Sequence, residues 1–245
     1  APLRRGDGGG RLLAALRSPL TPADEGTLRD ALPECRADQA QVLEPEGEAR
    51  RTVFYFPGCG SERLFSRISQ AALHVLLETG TRVVLPPPFL CCGFPAHANA
   101  RTAQHERTVL RDSILFTQIR EMLSYLSFDA VVVTCGTCKE GMEGMEVSRI
   151  FGAPLVDVAR FALESGLRLE EARPALYHAP CHDSLEGQGV ETLRRAGYQA
   201  RAAPNCCSEA GTLALSRPDI TDAMLDRKAE ALREALEGQP RGIPI

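Results

Sequence analysis

Beyond residue 52 the chain alternates short apolar runs with stretches of helical period. Val53-Phe54-Tyr55-Phe56 is an uninterrupted apolar run closed by Pro57-Gly58, the pattern of a buried strand ended by turn residues. Ser61 is placed to cap a following helix. Its apolar residues fall at Leu64, Ile68, Ala71, Ala72, Val75 and Leu76, and Gly80 stops it. Arg82 to Leu85 predicts a second strand, broken by Pro86-Pro87-Pro88. The spacing then predicts one long helix from His97 to Leu126. Ala130 to Thr134, β-branched through its middle, predicts a third strand. Pro154 to Val156 is a fourth, followed by a helix to Gly166. The rhythm restarts with a strand at Ala175 to His178, a helix from Ser184 to Ala196 and a strand at Tyr198 to Ala202. Helices are expected over Ser208 to Ser216 and Asp219 to Leu236.

Strands separated by helical stretches predict an α/β fold with short parallel sheets. Each half reads strand, proline and cysteine, helix, strand, Cys-Cys, helix. That internal repeat predicts two similar Rossmann-like lobes, residues 52–170 and an incomplete second one at 171–245. Residues 1–51 read differently, as a linker with short helices. Gly8-Gly9-Gly10 opens it, Arg11 to Arg17 has amphipathic spacing, and Pro19, Pro22 and Pro33 punctuate it. Glu44 to Arg51 is a charged run.

Composition narrows the class. The 245 residues suffice for one large domain or two ordinary ones, and 44% hydrophobic with 24% charged residues is ordinary globular usage. A net charge of −4 makes no case for nucleic acid or an anionic membrane surface. No apolar run is long enough to span a membrane. Ala1-Pro2-Leu3-Arg4-Arg5 leads into glycines rather than an apolar segment, so no secretory signal is expected. The missing initiator Met reads as a fragment of a longer protein. Nine cysteines without an export signal predict a reducing, cytoplasmic compartment, where clustered thiols are ligands more often than disulfides. Neither a phosphate-binding Gly-x-x-x-x-Gly-Lys loop nor a GxGxxG turn is present, so no nucleotide or flavin site is expected in this chain.

The cysteines carry the chemistry. Five are paired in rhythm: Cys59, then Cys91-Cys92-Gly93, then Cys135-Gly136-Thr137-Cys138. A shortened echo follows at Cys181 and Cys206-Cys207, while Cys35 stands alone and reads as an ordinary free thiol. Each member of these sets follows a predicted strand. In parallel α/β sheets, loops leaving the carboxyl ends of strands converge although they lie far apart in sequence. Adjacent cysteines can hardly bridge each other without strain, but both can reach one polynuclear cluster. Helix starts at these loops favour thiolates, and Gly58, Gly60, Gly93 and Gly136 permit tight turns. Three other readings compete. Buried cysteines also serve as small hydrophobes. Zinc takes four ligands, often from two Cys-x-x-Cys pairs, and only Cys135 to Cys138 supplies one. The same pair could act as a thiol redox switch. His178 and His182 flank Cys181 as candidate ligands or as hydrogen-bonding neighbours. Asp129, Glu140 and Asp183 read as solvated or capping carboxylates. Lys139 either offsets thiolate charge or faces water.

The Cys59, Cys91-Cys92-Gly93 and Cys135-x-x-Cys138 spacing resembles the cysteine-rich CCG domain family. Phe56-Pro57-Gly58-Cys59 and Tyr177-His178-Ala179-Pro180-Cys181-His182 are similar in style, and the likeness spans roughly residues 52–237. The family includes a cluster-bearing subunit of heterodisulfide reductase and the iron–sulfur subunit of glycolate oxidase. It also includes a subunit of anaerobic glycerol-3-phosphate dehydrogenase and the lactate-utilisation proteins. The wording is most similar to the C-terminal part of fused FAD and iron–sulfur oxidoreductases of the D-lactate dehydrogenase type. The resemblance implies that Cys59, Cys91, Cys92, Cys135 and Cys138 hold a noncubane iron–sulfur cluster of the 4Fe–4S class. It also implies a flavin dehydrogenase and a ferredoxin-like domain as partners, FAD residing on the partner, and electrons passing toward quinone at the membrane's inner face or toward another acceptor. Heterodisulfide reductase-like disulfide chemistry at the cluster, or a zinc-binding scaffold, are the alternatives. The second copy departs from the pattern. Ser208 stands where the family has glycine, and no Cys-x-x-Cys follows. Cys181, Cys206 and Cys207 are thus a truncated or three-thiolate set. No catalytic residue is assigned.

Overall fold

A computed structural model describes residues 23–205, 207, 217–239 and 242–244. The expected helices over Arg11 to Arg17 and Ser208 to Ser216 lie outside the described residues. The chain divides into two compact units. The larger comprises Ala23–Glu171 and His182–Gly197, the smaller Ala172–Cys181 and Tyr198–Ile245. Residues 182–197 therefore pack with the first part of the chain although they follow the start of the second.

The larger unit is built on a five-stranded sheet in the order β1-β3-β2-β4-β5. The strands are β1 (Gln41–Leu43), β2 (Arg51–Phe56), β3 (Thr81–Leu85), β4 (Ala130–Val133) and β5 (Leu155–Asp157). β2 pairs in parallel with β3 on one side, Val53 opposite Val83, and with β4 on the other, Phe56 opposite Val133. β5 extends the parallel set, and β1 closes the far edge antiparallel to β3. With β2 central, the chain winds one way to β3 and the other way to β4. That reversal makes a crevice at the carboxyl ends of the strands.

Alternation along β2 sends side chains to two cores. Phe54 and Phe56 meet Phe116, Phe151 and Met142 on one face; Val53 and Tyr55 meet Leu28, Leu73, Leu76 and Phe161 on the other. Phe54 stacks on Phe151 at 4.3 Å and meets Phe116 edge-on at 5.2 Å. Burial on both faces explains why β2, β3 and β4 are continuous apolar runs.

Helices cover both faces: α1 (Gly58–Arg63), α2 (Ser66–Glu78), α3 (Phe94–Ala98), α4 (Thr102–Met122), α5 (Gly136–Gly144), α6 (Val147–Phe151), α7 (Val158–Glu164) and α8 (Gly189–Arg195). Three expectations are corrected here. The helix expected from Ser61 is two helices. Ser61 is buried inside α1, its carbonyl accepting from Ser69 Oγ rather than its side chain capping α2, and Leu64 and Ile68 are exposed. The helix expected over His97 to Leu126 breaks between α3 and α4, where Ala100 adopts a left-handed φ of 55°. The helix expected at Ser184 starts only at Gly189. Asp183 accepts from the Leu185 and Gly187 backbone N–H groups, at 2.9 and 2.7 Å, and folds the intervening residues into a loop.

In the smaller unit β6 (Arg173–Tyr177) and β7 (Tyr198–Ala202) pair in parallel, and α9 (Pro218–Leu236) carries the buried Lys228. Lys228 Nζ donates to Asn205 O at 2.7 Å, to Pro204 O, and lies 3.2 Å from His178 Nδ1. It satisfies the carbonyls of the loop leaving β7.

Phe116 is fully buried between Phe54, Phe56 and Phe151. Phe116→Ala is expected to cost about 3–5 kcal/mol in denaturant unfolding. Leu110→Ala, on an exposed position of the same helix, should change stability by less than about 0.5 kcal/mol. Equal losses would contradict this placement of the core.

Candidate metal centre

Cys59 lies in α1, just beyond the carboxyl end of β2. Cys91 and Cys92 lie in the loop between β3 and α3. Cys135 is the N-cap of α5, just beyond β4, and Cys138 is on its first turn. Three neighbouring strands thus deliver five cysteines to the same edge of the sheet. Their sulfurs form a continuous run. Cys59 donates to Cys91 across 3.8 Å, and Cys91 with Cys92, Cys92 with Cys138, and Cys138 with Cys135 lie close enough to shift one another's ionisation. Cys92 Sγ also points to the Thr137 carbonyl at 3.9 Å. Cys92 and Cys138 are buried; Cys59, Cys91 and Cys135 are half-buried. The set therefore has a floor of two sulfurs against the aromatic core and a rim of three nearer to solvent.

Two glycines make room for the sulfurs. Gly58 takes a left-handed φ of 77°, and a Cβ there would stand 2.6 Å from Cys138 Sγ. On α5, a Cβ at Gly141 would stand 2.8 Å from Cys92 Cβ. Sequence reasoning missed Gly141. Its spacing of three residues from Cys138, nearly one helical turn, places both on one face, which was the available signal.

Crowding five thiols sets their ionisation. Hydrogen bonds from Cys59 and then Cys92 hold Cys91 down to about 2, helped by the Gly93 N–H and the Arg111 guanidinium. The bond from Cys138, opposed by burial, leaves Cys135 depressed to about 5, with the N–H groups of Cys138 and Thr137 assisting. Cys59 is pushed well above the ordinary thiol range by its bond to Cys91 and by burial. Cys138 is pushed up by its bonds to Cys135 and Cys92. Cys92 is pulled down by Cys138 and raised by Cys91 and burial, settling near 11. The run thus holds thiolates at Cys91 and Cys135 and protons on the other three. A metal group binding all five must displace those protons, so loading strengthens as pH rises.

Among the described residues no three His, Cys, Asp or Glu side chains close on a single ion position. Five sulfurs exceed the four that zinc takes, and a donor set of thiolates alone suits an iron–sulfur group. The remaining candidates are otherwise engaged. His182 Nδ1 bonds Glu140 Oε2 at 2.6 Å, and its ring meets Phe94 edge-on at 4.8 Å. His178 meets Lys228. Lys139 is buried rather than water-facing, and pairs with Glu186 and, at 3.7 Å, with Glu143. Asp129 accepts from the Thr52 backbone N–H. Cys181 and Cys207 are exposed in the smaller unit, and Cys206 lies outside the described residues.

Residues 53–143 match the profile of the cysteine-rich domain CCG. An uncharacterised iron–sulfur protein of Methanococcus maripaludis is 28% identical over 200 residues, covering 76% of this chain and 38% of that protein. A probable glycolate oxidase iron–sulfur subunit of Bacillus subtilis is 24% identical over 217 residues, 79% of this chain and 47% of its own. Lactate utilization protein A of Geobacillus thermodenitrificans is 24% identical over 206 residues, covering 74% and 82%. The chain spans less than half the length of the first two. No solved structure matches.

Two measurements follow from this geometry. Cys59 and Cys91 are both half-buried, and their ionisation is shifted in opposite directions. In metal-free protein at pH 7, iodoacetamide should modify Cys91 and Cys135 well before Cys59, read by peptide mass; equal rates would contradict the assignment. Gly58→Ala should cost about 1–3 kcal/mol of stability. Gly144→Ala, where a Cβ meets nothing within 4 Å, should be neutral.

Proposed function

We propose, from the match of residues 53–143 to the cysteine-rich domain CCG, that the chain is an iron–sulfur electron-transfer component of a flavin-linked oxidoreductase. The observation that carries this is the continuous run of five sulfurs gathered from three strand ends. Cys59, Cys91, Cys92, Cys135 and Cys138 are its ligands, in keeping with a noncubane 4Fe–4S cluster. When bound, the cluster supplies one-electron redox chemistry.

The chain's own residues do the rest. Cys92 and Cys138 anchor the set in the apolar core, where Met142 and the phenylalanines exclude water. Cys59, Cys91 and Cys135 leave the outer side within reach of a partner. Backbone N–H groups at Gly93, Thr137 and Cys138 lie where they stabilise negative sulfur. The names of similar proteins support a 2-hydroxy acid such as glycolate or lactate as the substrate of the whole enzyme; glycerol 3-phosphate is the other class carried by the resemblance. That substrate binds elsewhere, on a flavin dehydrogenase with FAD. A ferredoxin-like domain relays electrons, and quinone is the eventual acceptor. No helix among the described residues is long and apolar enough to cross a membrane; a position at the cytoplasmic face through partners belongs to the same reading. The segment 1–51 would lead in from a preceding domain, its residues from Ala23 onward packing with the larger unit, and Cys181, Cys206 and Cys207 would be a reduced second set in a second, similar lobe.

The test is anaerobic reconstitution with iron and sulfide, followed by a redox titration read by EPR. The wild-type chain should show a reversible one-electron signal. Cys92→Ser and Cys138→Ser should abolish or transform it, and Cys35→Ser should leave it unchanged. A signal that survives both ligand substitutions overturns the assignment.

A further inference from the structure

Cys59 lies in α1 and Cys91 in the loop after β3, yet their sulfurs stand 3.8 Å apart. A buried ion pair outside the sulfur set connects the two segments. Glu62, one turn beyond Cys59 on α1, is 2% exposed. Its Oε1 accepts from Arg29 Nε at 2.5 Å. Its Oε2 accepts from the backbone N–H of Phe89, two residues before Cys91, at 2.8 Å. The next residue on α1, Arg63, lays its guanidinium over the Phe89 ring at 4.4 Å. Consecutive side chains of the Cys59 helix thus grip the backbone and the ring of the residue leading into Cys91.

Phe89 needs such a grip. Its φ is 65°, a left-handed conformation that a bulky non-glycine residue adopts only under outside constraint. Arg29 completes the clamp. Its Nη1 donates to Gln41 Oε1 at 2.6 Å, at the start of β1, and its Nη2 donates to Pro86 O at 2.8 Å, at the end of β3. One guanidinium therefore ties α1, the β1 edge and the proline-rich approach to Cys91. A buried ion pair is weak evidence for stability, because apolar residues of similar size often replace it without loss. What apolar residues cannot replace is the acceptor for the Phe89 N–H.

We propose that Arg29 and Glu62 are positioning residues that set the Cys59–Cys91 sulfur separation and, through it, the geometry in which the site accepts its cluster. The consequence for the cluster rests on the reading above; the effect on the two thiols does not.

The experiment exploits that difference. Metal-free, reduced protein is treated with dibromobimane, which becomes fluorescent on bridging two nearby thiols, and the Cys59–Cys91 bridged peptides are counted by mass after trypsin. The double variant Arg29→Met/Glu62→Met should fold, by circular dichroism and a cooperative melt, yet lose bridging by about five-fold as the two thiols lose their fixed proximity. Glu62→Gln, which keeps an acceptor oxygen for Phe89, should stay close to wild type. After reconstitution the double variant should show a broadened EPR signal and a shifted midpoint potential. A folded double variant with wild-type bridging overturns the proposal. Should the double variant not fold, Arg29→Lys decides: it keeps the charge but not the three-way reach, so unchanged bridging overturns the proposal and reduced bridging supports it. Reduced bridging in the folded variants, together with wild-type protein that takes up no iron, supports the positioning role while overturning the cluster reading.

Discussion

The site depends on the parallel pairing of β2 with β3 on one side and β4 on the other. Parallel strands send their carboxyl ends to the same edge, so residues 59, 91–92 and 135–138 meet there despite wide separation in sequence. Helices cover both faces of the sheet, so β2 is buried on both, and its alternating residues feed two separate cores. The aromatic cluster around Phe54 and Phe116 is thus part of the site's foundation as well as of the fold's stability.

On that foundation, the chemistry is one of crowding. Five thiols within hydrogen-bonding reach cannot all ionise, because each new thiolate is opposed by its neighbours and by burial. Thiolates at Cys91 and Cys135 are stabilised by the thiols beside them and by backbone N–H groups. A metal group held by these five sulfurs would take the place of the protons and so would relieve the crowding.

Much of this was legible in the sequence, for identifiable reasons. β2, β3 and β4 announce themselves as apolar runs bounded by turn residues, and the cysteines are named by their identity and by their place after strands. What escaped was decided by tertiary structure. β1 is only three residues long and exists because β3 offers an edge. The break between α3 and α4 rests on a left-handed Ala100, and the late start of α8 on the hydrogen bonds of Asp183. Gly141 and Glu62 matter through what lies opposite them, Cys92 in one case and Phe89 in the other; the spacing of Gly141 from Cys138 places it on the site's face, while nothing local marks Glu62.

The most direct measurement is the iron, acid-labile sulfide and zinc content of the chain purified without oxygen. The account predicts iron and sulfide in comparable amounts, several of each per chain, and brown protein. One zinc per chain with no sulfide would contradict it and make the five-sulfur site a structural zinc centre.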